Sequence, residues 1–278
     1  MYESYWQLDA RPFDHSAEAR FYFPGPSQQG ALLKLRYVIE SRRGCAILAG
    51  ESGLGKTLVT QLLLKQLDAA SQPRIHLVFP YMPAEQLLAY LANQLTAQPA
   101  GSNAISGPTT IDHSLRRIET ALLDHARAGR HAVIVVDEAH LLRETRALET
   151  IRLLLNFEHL SQPLATFLLV GQTGLMIDVE RLPQLDERLA VKCLLQRLTL
   201  EETFSYIQHR LAAAGRGRPI FDDSAVETIY QLTSGIPRRI NRLCDLALLV
   251  GFGEELRNIS RDQIEAIHEE LIGTAAAA

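Results

Sequence analysis

Cysteine is scarce in this chain of 278 residues: Cys45, Cys193 and Cys244 stand far apart among aliphatic neighbours. An odd count without metal-ligand spacing excludes a disulfide framework and a zinc module, and leaves buried, inert thiols as the reading. Long apolar runs are lacking as well. The best of them, around residues 246–252, falls well short of the roughly 18 residues a membrane span requires. Positive charge is not in excess, since Lys and Arg number 28 against 32 Asp and Glu for a formal charge of -4. That balance excludes a global electrostatic footprint for nucleic acid but leaves a local basic patch open. No N-terminal signal peptide is legible, which together with the cysteine usage points to a reducing, cytoplasmic setting. Internal repeats and heptads are absent too.

What is present is an ordinary globular composition, 47% hydrophobic and 22% charged, in a chain long enough for one large core and a small satellite domain. Five short β-rich apolar runs, at 45–49, 75–79, 132–136, 166–170 and 191–195, read as strands buried on both faces. Stretches of helical period at 58–67, 85–95, 118–127 and 148–155 separate them. The alternation predicts an α/β fold, a parallel five-stranded sheet between helices. After residue 198 the pattern turns helical. Thr199 with Glu202 and Ser260 with Gln263 have capping-box spacing, Asp223 and Ser224 precede another amphipathic run, and Gly235 with Pro237 breaks it. The predicted organisation is an α/β domain over 1–198 including the N-terminal segment, a helical domain over 199–273, and a tail over 274–278. Residues 98–109, rich in Gly, Pro, Ser, Asn and Thr, read as a long loop, either a plain excursion or a partner contact.

Gly50-Glu51-Ser52-Gly53-Leu54-Gly55-Lys56-Thr57 fits G-x-x-x-x-G-K-[ST] and lies between an apolar strand and an amphipathic helix whose first turn includes Leu58. Its glycines let successive amides turn inward around phosphate, and the helix start adds positive potential. Lys56 is placed for the β and γ phosphates of ATP and the Thr57 hydroxyl for Mg²⁺. A second apolar strand closes on Asp137 and Glu138. Asp137 is the expected metal ligand, and Glu138 the expected base that polarises the attacking water. Asp137 to His140 also spells a helicase box, but the chain has no room for the second core such helicases need, so His140 is read as structural or coupling. Gln172 follows the fourth strand, where a polar side chain touches water or the γ phosphate, or satisfies a turn. Arg188, before the fifth strand, has the position of an arginine that enters a neighbouring subunit's site, with Arg181 the weaker substitute and a solvated surface arginine the plain reading. Arg238, preferred over Arg239, opens a helix from which it reports the γ phosphate. Pro12 and Phe13 offer an apolar surface to a base, with core packing the equal alternative. His76, His113 and His209 lack metal spacing and read as structural.

The opening Met1-Tyr2 with Trp6 and Arg11-Pro12-Phe13, the phosphate loop, the strand into Asp137-Glu138-Ala139-His140, the run from Arg152 to Glu158, Leu168 to Gln172, and Gly235 to Asn241 together resemble the ExeA/GspA-type AAA+ ATPases. The resemblance covers nearly the whole chain. It implies an AAA+ fold with a helical lid, ATP and Mg²⁺ as ligands, and a nucleotide-dependent homo-oligomer in which Gln172 is the first sensor, Arg188 the arginine finger and Arg238 the second sensor. It also implies action on a partner complex, as in accessory ATPases of secretion. Two departures stand out: Gly171-Gln172-Thr173-Gly174-Leu175 replaces the usual Gly-Gln-Pro-Glu-Leu, and residues 28–30 lack a histidine common near the base. Secretion members carry a membrane span and a peptidoglycan-binding region beyond the ATPase. The expected setting is therefore the cytoplasm, as a separate protein or as the cytoplasmic part of a longer inner-membrane one. Two other readings stay open. One is a DNA-associated, transposition-type regulator using Arg210, Arg216, Arg218, Arg239 and Arg242 as a basic face, and the other is a slow ATP-dependent switch.

Overall fold

A computed structural model describes residues 1–14, 19–96, 110–145 and 147–276. The predicted loop at 98–109 lies outside the described residues. The chain forms two compact units, one of residues 27–52 and 56–195, the other of residues 1–26, 53–55 and 196–278.

The first unit is a sheet of five parallel strands, β1 (Cys45–Ala49), β2 (Arg74–Leu77), β3 (Ala132–Val136), β6 (Ala165–Gly171) and β7 (Leu189–Leu194), in the order β2-β3-β6-β1-β7. Between β3 and β6 a two-residue hairpin, β4 (Glu158–His159) and β5 (Gln162–Pro163), is too short for any period to reveal. Helix α1 (Pro26–Glu40) precedes β1, and α2 (Lys56–Gln66), α3 (Ala84–Thr96), α4 (Ile111–Arg127), α5 (Ala147–Leu154), α6 (Gly174–Glu180) and α7 (Pro183–Asp186) lie between the strands. The three inner strands β1, β3 and β6 are buried along their whole length, as continuous apolar runs require. The two edge strands depart from the expectation of burial on both faces. β2 alternates partly and fully buried residues, and β7 keeps exposed residues between its covered ones, because an edge strand has a neighbour on one side only. The core of this unit gathers Ile47, Leu87, Leu91, Ile134, Ile151, Phe167 and Leu169.

Four helices, α8 (Leu200–Ala213), α9 (Asp223–Thr233), α10 (Pro237–Gly253) and α11 (Arg261–Ala276), make the second unit, in agreement with the four predicted segments. The Thr199 hydroxyl accepts from the Glu202 amide while the Glu202 carboxylate accepts from the Thr199 amide, the reciprocal cap read from the sequence. At α11 only the Gln263 half of the predicted box forms, its Oε1 accepting from the Ser260 amide at 3.0 Å. The cap of α9 is Asp222, one residue before the predicted pair, and its carboxylate accepts from the Ala225 amide at 2.7 Å. Helix α11 runs on to Ala276 through part of the alanine stretch read as a tail.

The N-terminal segment corrects the predicted organisation, for it packs in the helical unit. Trp6 is 2% exposed and its indole N–H donates to the Leu248 carbonyl at 2.9 Å, while the Tyr2 hydroxyl donates to Asp245. Asp9 and Leu8 follow, the Asp9 amide donating to the Ala214 carbonyl at 2.7 Å. Tyr2, Trp6, Phe13 and Phe21 thereby join Ile207, Ile229, Ile240 and Leu248 in one apolar core.

Candidate nucleotide site

Strand order decides which residues meet. With β6 between β3 and β1, the loops after those three strands leave the same edge of the sheet side by side, and open α/β sheets bind their ligands at the carboxyl ends of strands. Gly50 follows β1, Asp137 follows β3 and Gln172 follows β6. The Gly50 amide donates to the Gly171 carbonyl at 3.2 Å, which ties the start of the loop to the end of β6. Gly171 is required by close approach, since a Cβ there would come within 3.2 Å of the His140 amide nitrogen and 3.0 Å of Leu175.

Lys56 opens α2 and is 8% exposed. Its ammonium donates to the carbonyls of Gly50 and Glu51, both at 2.9 Å, so the lysine spans the loop from helix start to strand end. Burial lowers its pKa from the ordinary lysine value, and the charges of Glu138 and Asp137 oppose that shift. The next residue, Thr57, turns its hydroxyl to Asp137, donating to Oδ2 at 3.0 Å. This contact joins the two halves of the motif that the sequence places far apart.

Asp137 is 4% exposed, and its second oxygen accepts from the Glu138 amide at 3.0 Å. Burial works to raise its pKa, but His76, the Glu138 amide and the Thr57 hydroxyl together outweigh burial and leave the carboxyl below the ordinary aspartate value. His76 Nε2 stands 3.7 Å from Oδ2, beyond hydrogen-bond range yet near enough to act through charge. The histidine that read as structural thus faces the acid, a neighbour that only the pairing of β2 with β3 reveals.

Glu138 has left-handed backbone dihedrals, φ 50° and ψ 35°. A non-glycine residue pays on the order of 1 kcal/mol for that conformation, and such outliers concentrate where function demands a direction for the side chain. The carboxylate is about half exposed and lies 3.4 Å from His140 Nδ1, while the Gln172 amide lies 3.5 Å from the same nitrogen. One ring nitrogen cannot donate to the acid and accept from the amide at once, so His140 serves one of the two in each tautomer. Gln172 itself is exposed beyond β6. Arg188 is exposed after α7, its guanidinium donating to the Leu155 carbonyl at 2.9 Å, and Arg181 caps the end of α6.

Gly53 to Gly55 belong to the helical unit. There the Arg238 amide, in the first turn of α10, donates to the Gly53 carbonyl at 3.2 Å. Gly53 has φ 88°, and a Cβ on it would come within 2.8 Å of Arg238 Cβ, so the residue is held to glycine twice over. The Arg238 side chain is exposed.

Two sequence expectations change here. Phe13, 2% exposed, meets Phe221 edge to face at 6.1 Å, and buried Pro12 accepts from Arg210, so both serve the helical core and neither offers a surface to a base. Arg210 leaves the predicted basic face, because it is 4% exposed and binds the carbonyls of Pro12 and Asp14 while its guanidinium lies over Phe21. Burial lowers its pKa, against the charges of Tyr206 and Asp14. Among the described residues no group of three or more His, Cys, Asp or Glu side chains is arranged to hold a metal.

The chain is similar to known proteins in sequence and in fold. Residues 39–176 match the model of an AAA domain. General secretion pathway protein A of Aeromonas hydrophila is 31% identical over 98% of this chain, and the chain spans about half, 49%, of that relative's length. Two archaeal structures share the fold. The Aeropyrum pernix ORC2 protein, solved as ADPNP–ADP complexes, superposes with a TM-score of 0.68 at 16% identity over 94% of this chain and 72% of its own. Cdc6p of Pyrobaculum aerophilum gives 0.70 at 15% identity, over 93% and 70%. Among the described residues no helix is long and apolar enough to cross a membrane.

Proposed function

We propose that this chain, similar to an AAA domain over residues 39–176 and to General secretion pathway protein A, hydrolyses ATP at contacts between its own subunits and uses the cycle to assemble or remodel a partner complex. The observation that carries this reading is the 3.0 Å contact between the Thr57 hydroxyl and the Asp137 carboxylate, with the neighbouring Lys56 ammonium held by the carbonyls of Gly50 and Glu51. A hydroxyl and an ionised carboxylate are hard oxygen donors that suit Mg²⁺, so Thr57 and Asp137 would hold the cation. When bound, the cation neutralises charge that develops between the β and γ phosphates.

In this scheme Gly50 to Leu58 wrap the phosphates, and Lys56 exchanges its bonds to the Gly50 and Glu51 carbonyls for phosphate oxygens. Glu138, on a left-handed backbone and with its carboxylate beside His140, takes a proton from the attacking water. His140 holds either that carboxylate or the Gln172 amide, which couples the base to the first sensor. Arg188 leaves the Leu155 carbonyl to reach the transferred phosphate in a neighbouring subunit. Arg238, whose amide grips Gly53, reports the nucleotide to the helical unit. The relative's name, General secretion pathway protein A, supports a partner complex that belongs to secretion.

Phosphate release measured against protein concentration tests the scheme. Specific activity is expected to rise with concentration as sites are completed by neighbours, and Arg188→Ala is expected to lower turnover by about 10³-fold while ATP still binds. Activity that is flat with concentration and unchanged in Arg188→Ala would remove the subunit contact from the mechanism.

A further inference from the structure

The helical unit contains a cleft of about 810 Å³ that the nucleotide chemistry does not use. It lies between the N-terminal segment, the turn after α8 and the turn after α10. Tyr5 and Gln7 come from the first, Arg216 and Arg218 from the second, and Leu256 and Arg257 from the third.

Three arginines line this cleft, and none of them pairs with an acid among the described residues. Elsewhere in the chain surface arginines are commonly paired one helical turn away, as Arg36 with Glu40, Arg116 with Asp112, Arg127 with Asp124, Arg152 with Glu149 and Arg261 with Glu265. Arg218 and Arg257 are exposed and have neither an ion pair nor a hydrogen bond among the described residues. Arg216 donates one guanidinium N–H to Gln7 Oε1 at 2.7 Å, but its Nε is buried and unpartnered. A buried donor left unmatched costs about 1–3 kcal/mol, and like charges gathered at one cleft repel, so the cleft is incomplete without an anion. The Asp9 carboxylate, which crowds Gly215, pairs with none of the three.

An aromatic face stands beside the cations. The Tyr5 ring is 37% exposed yet fixed, its hydroxyl donating to the Leu256 carbonyl at 2.7 Å and its edge packed on Trp6 at 5.0 Å and Phe252 at 5.6 Å. Cations that track a phosphate backbone next to a rigid ring that stacks a base are the two parts of a strand-binding surface. We propose that this cleft binds the phosphodiester backbone of a nucleic acid, with Arg216, Arg218 and Arg257 on phosphates and Tyr5 against an unpaired base. The net charge of -4 is no obstacle, because the site is local and needs only a few contacts.

Fluorescence anisotropy on the full chain, without nucleotide, tests the assignment with three probes: labelled oligo-dT, a labelled duplex, and vesicles of phosphatidylcholine with phosphatidylglycerol. Oligo-dT is expected to bind in a salt-dependent way. The double substitution Arg218→Glu with Arg257→Glu is expected to weaken binding at least tenfold and to flatten the plot of log affinity against log salt by about 1.4. Arg116→Glu, a charge change on α4, is expected to leave binding unchanged. Tyr5→Leu is expected to weaken oligo-dT more than duplex, and equal loss on both would remove the stacking role. Binding to vesicles alone, binding unaffected by the double substitution, or no binding of either nucleic acid at low salt would overturn the proposal. Basal phosphate release by the double variant is expected to match that of the parent chain, so failure of this site is distinguishable from failure of the ATPase reading.

Discussion

Both units bury charged and polar side chains, but they use them differently. In the sheet unit Lys56 at the start of α2 and Asp137 at the end of β3 are buried with bonds a ligand can replace: two loop carbonyls for the lysine and a threonine hydroxyl for the acid. In the helical unit Arg210, Asn241 and the Trp6 indole are buried with bonds no ligand can reach. Arg210 ties the N-terminal segment to α8, the Asn241 amide oxygen accepts from the Tyr206 hydroxyl at 2.7 Å, and Trp6 is anchored on α10. Burial alone therefore does not mark a catalytic group. What marks one is a set of partners that can be exchanged, held by elements whose order is set by the sheet.

The sharpest way to break this contrast is at Glu138. Glu138→Gln is expected to cut phosphate release by about 10²–10⁴-fold with the thermal midpoint nearly unchanged, because only the proton-accepting capacity is lost. A large drop in stability instead would make Glu138 a structural residue. Arg210→Met should give the reverse pattern. It leaves the Pro12 and Asp14 carbonyls without their donor and is expected to cost about 3 kcal/mol of unfolding free energy, read by urea denaturation, with turnover per folded molecule retained.

A smaller effect sharpens the comparison inside the sheet unit itself. His131 precedes β3, at the end of the strand opposite to Asp137, and its Nε2 is 2.8 Å from the Thr166 hydroxyl. Burial, with the Arg42 charge adding to it, lowers its pKa to about 4. A depressed histidine pKa means that the unfolded chain takes up the proton first as pH falls. The stabilisation is complete above the unfolded value near 6.5 and is lost as pH drops from there towards 4. Unfolding free energy is expected to fall by about 2 kcal/mol between pH 7 and pH 5 from this residue, and His131→Gln should flatten that part of the profile. A profile of equal slope in the variant would assign the pH response to other groups.

Much of the sheet unit was legible because its signals are local. The runs at 45–49 and 132–136 became β1 and β3 with the same bounds, and the loop from Gly50 to Thr57 joins β1 to α2 as its spacing requires. The order of strands was not legible, since parallel neighbours are joined through crossovers whose length does not name the partner. That order is what brings His76 to Asp137 and His140 to Gln172. In the helical unit the caps at Thr199 and the break at Gly235 could be read, whereas the destination of the first 26 residues could not. Trp6 and Phe13 look alike as surface or core in a short segment, and only contacts with residues some 200 positions away decide between them. Arg210 misled for the same reason: an arginine on an amphipathic helix reads as solvated until the segment that covers it is known.

Calorimetric titration of the full chain with ATP in the presence of Mg²⁺ tests the central claim most directly. The account predicts one site per chain, weakened when the cation is chelated and absent in Lys56→Ala at unchanged melting temperature. Heat of binding that is absent in the parent chain, or that persists undiminished in Lys56→Ala, would contradict it.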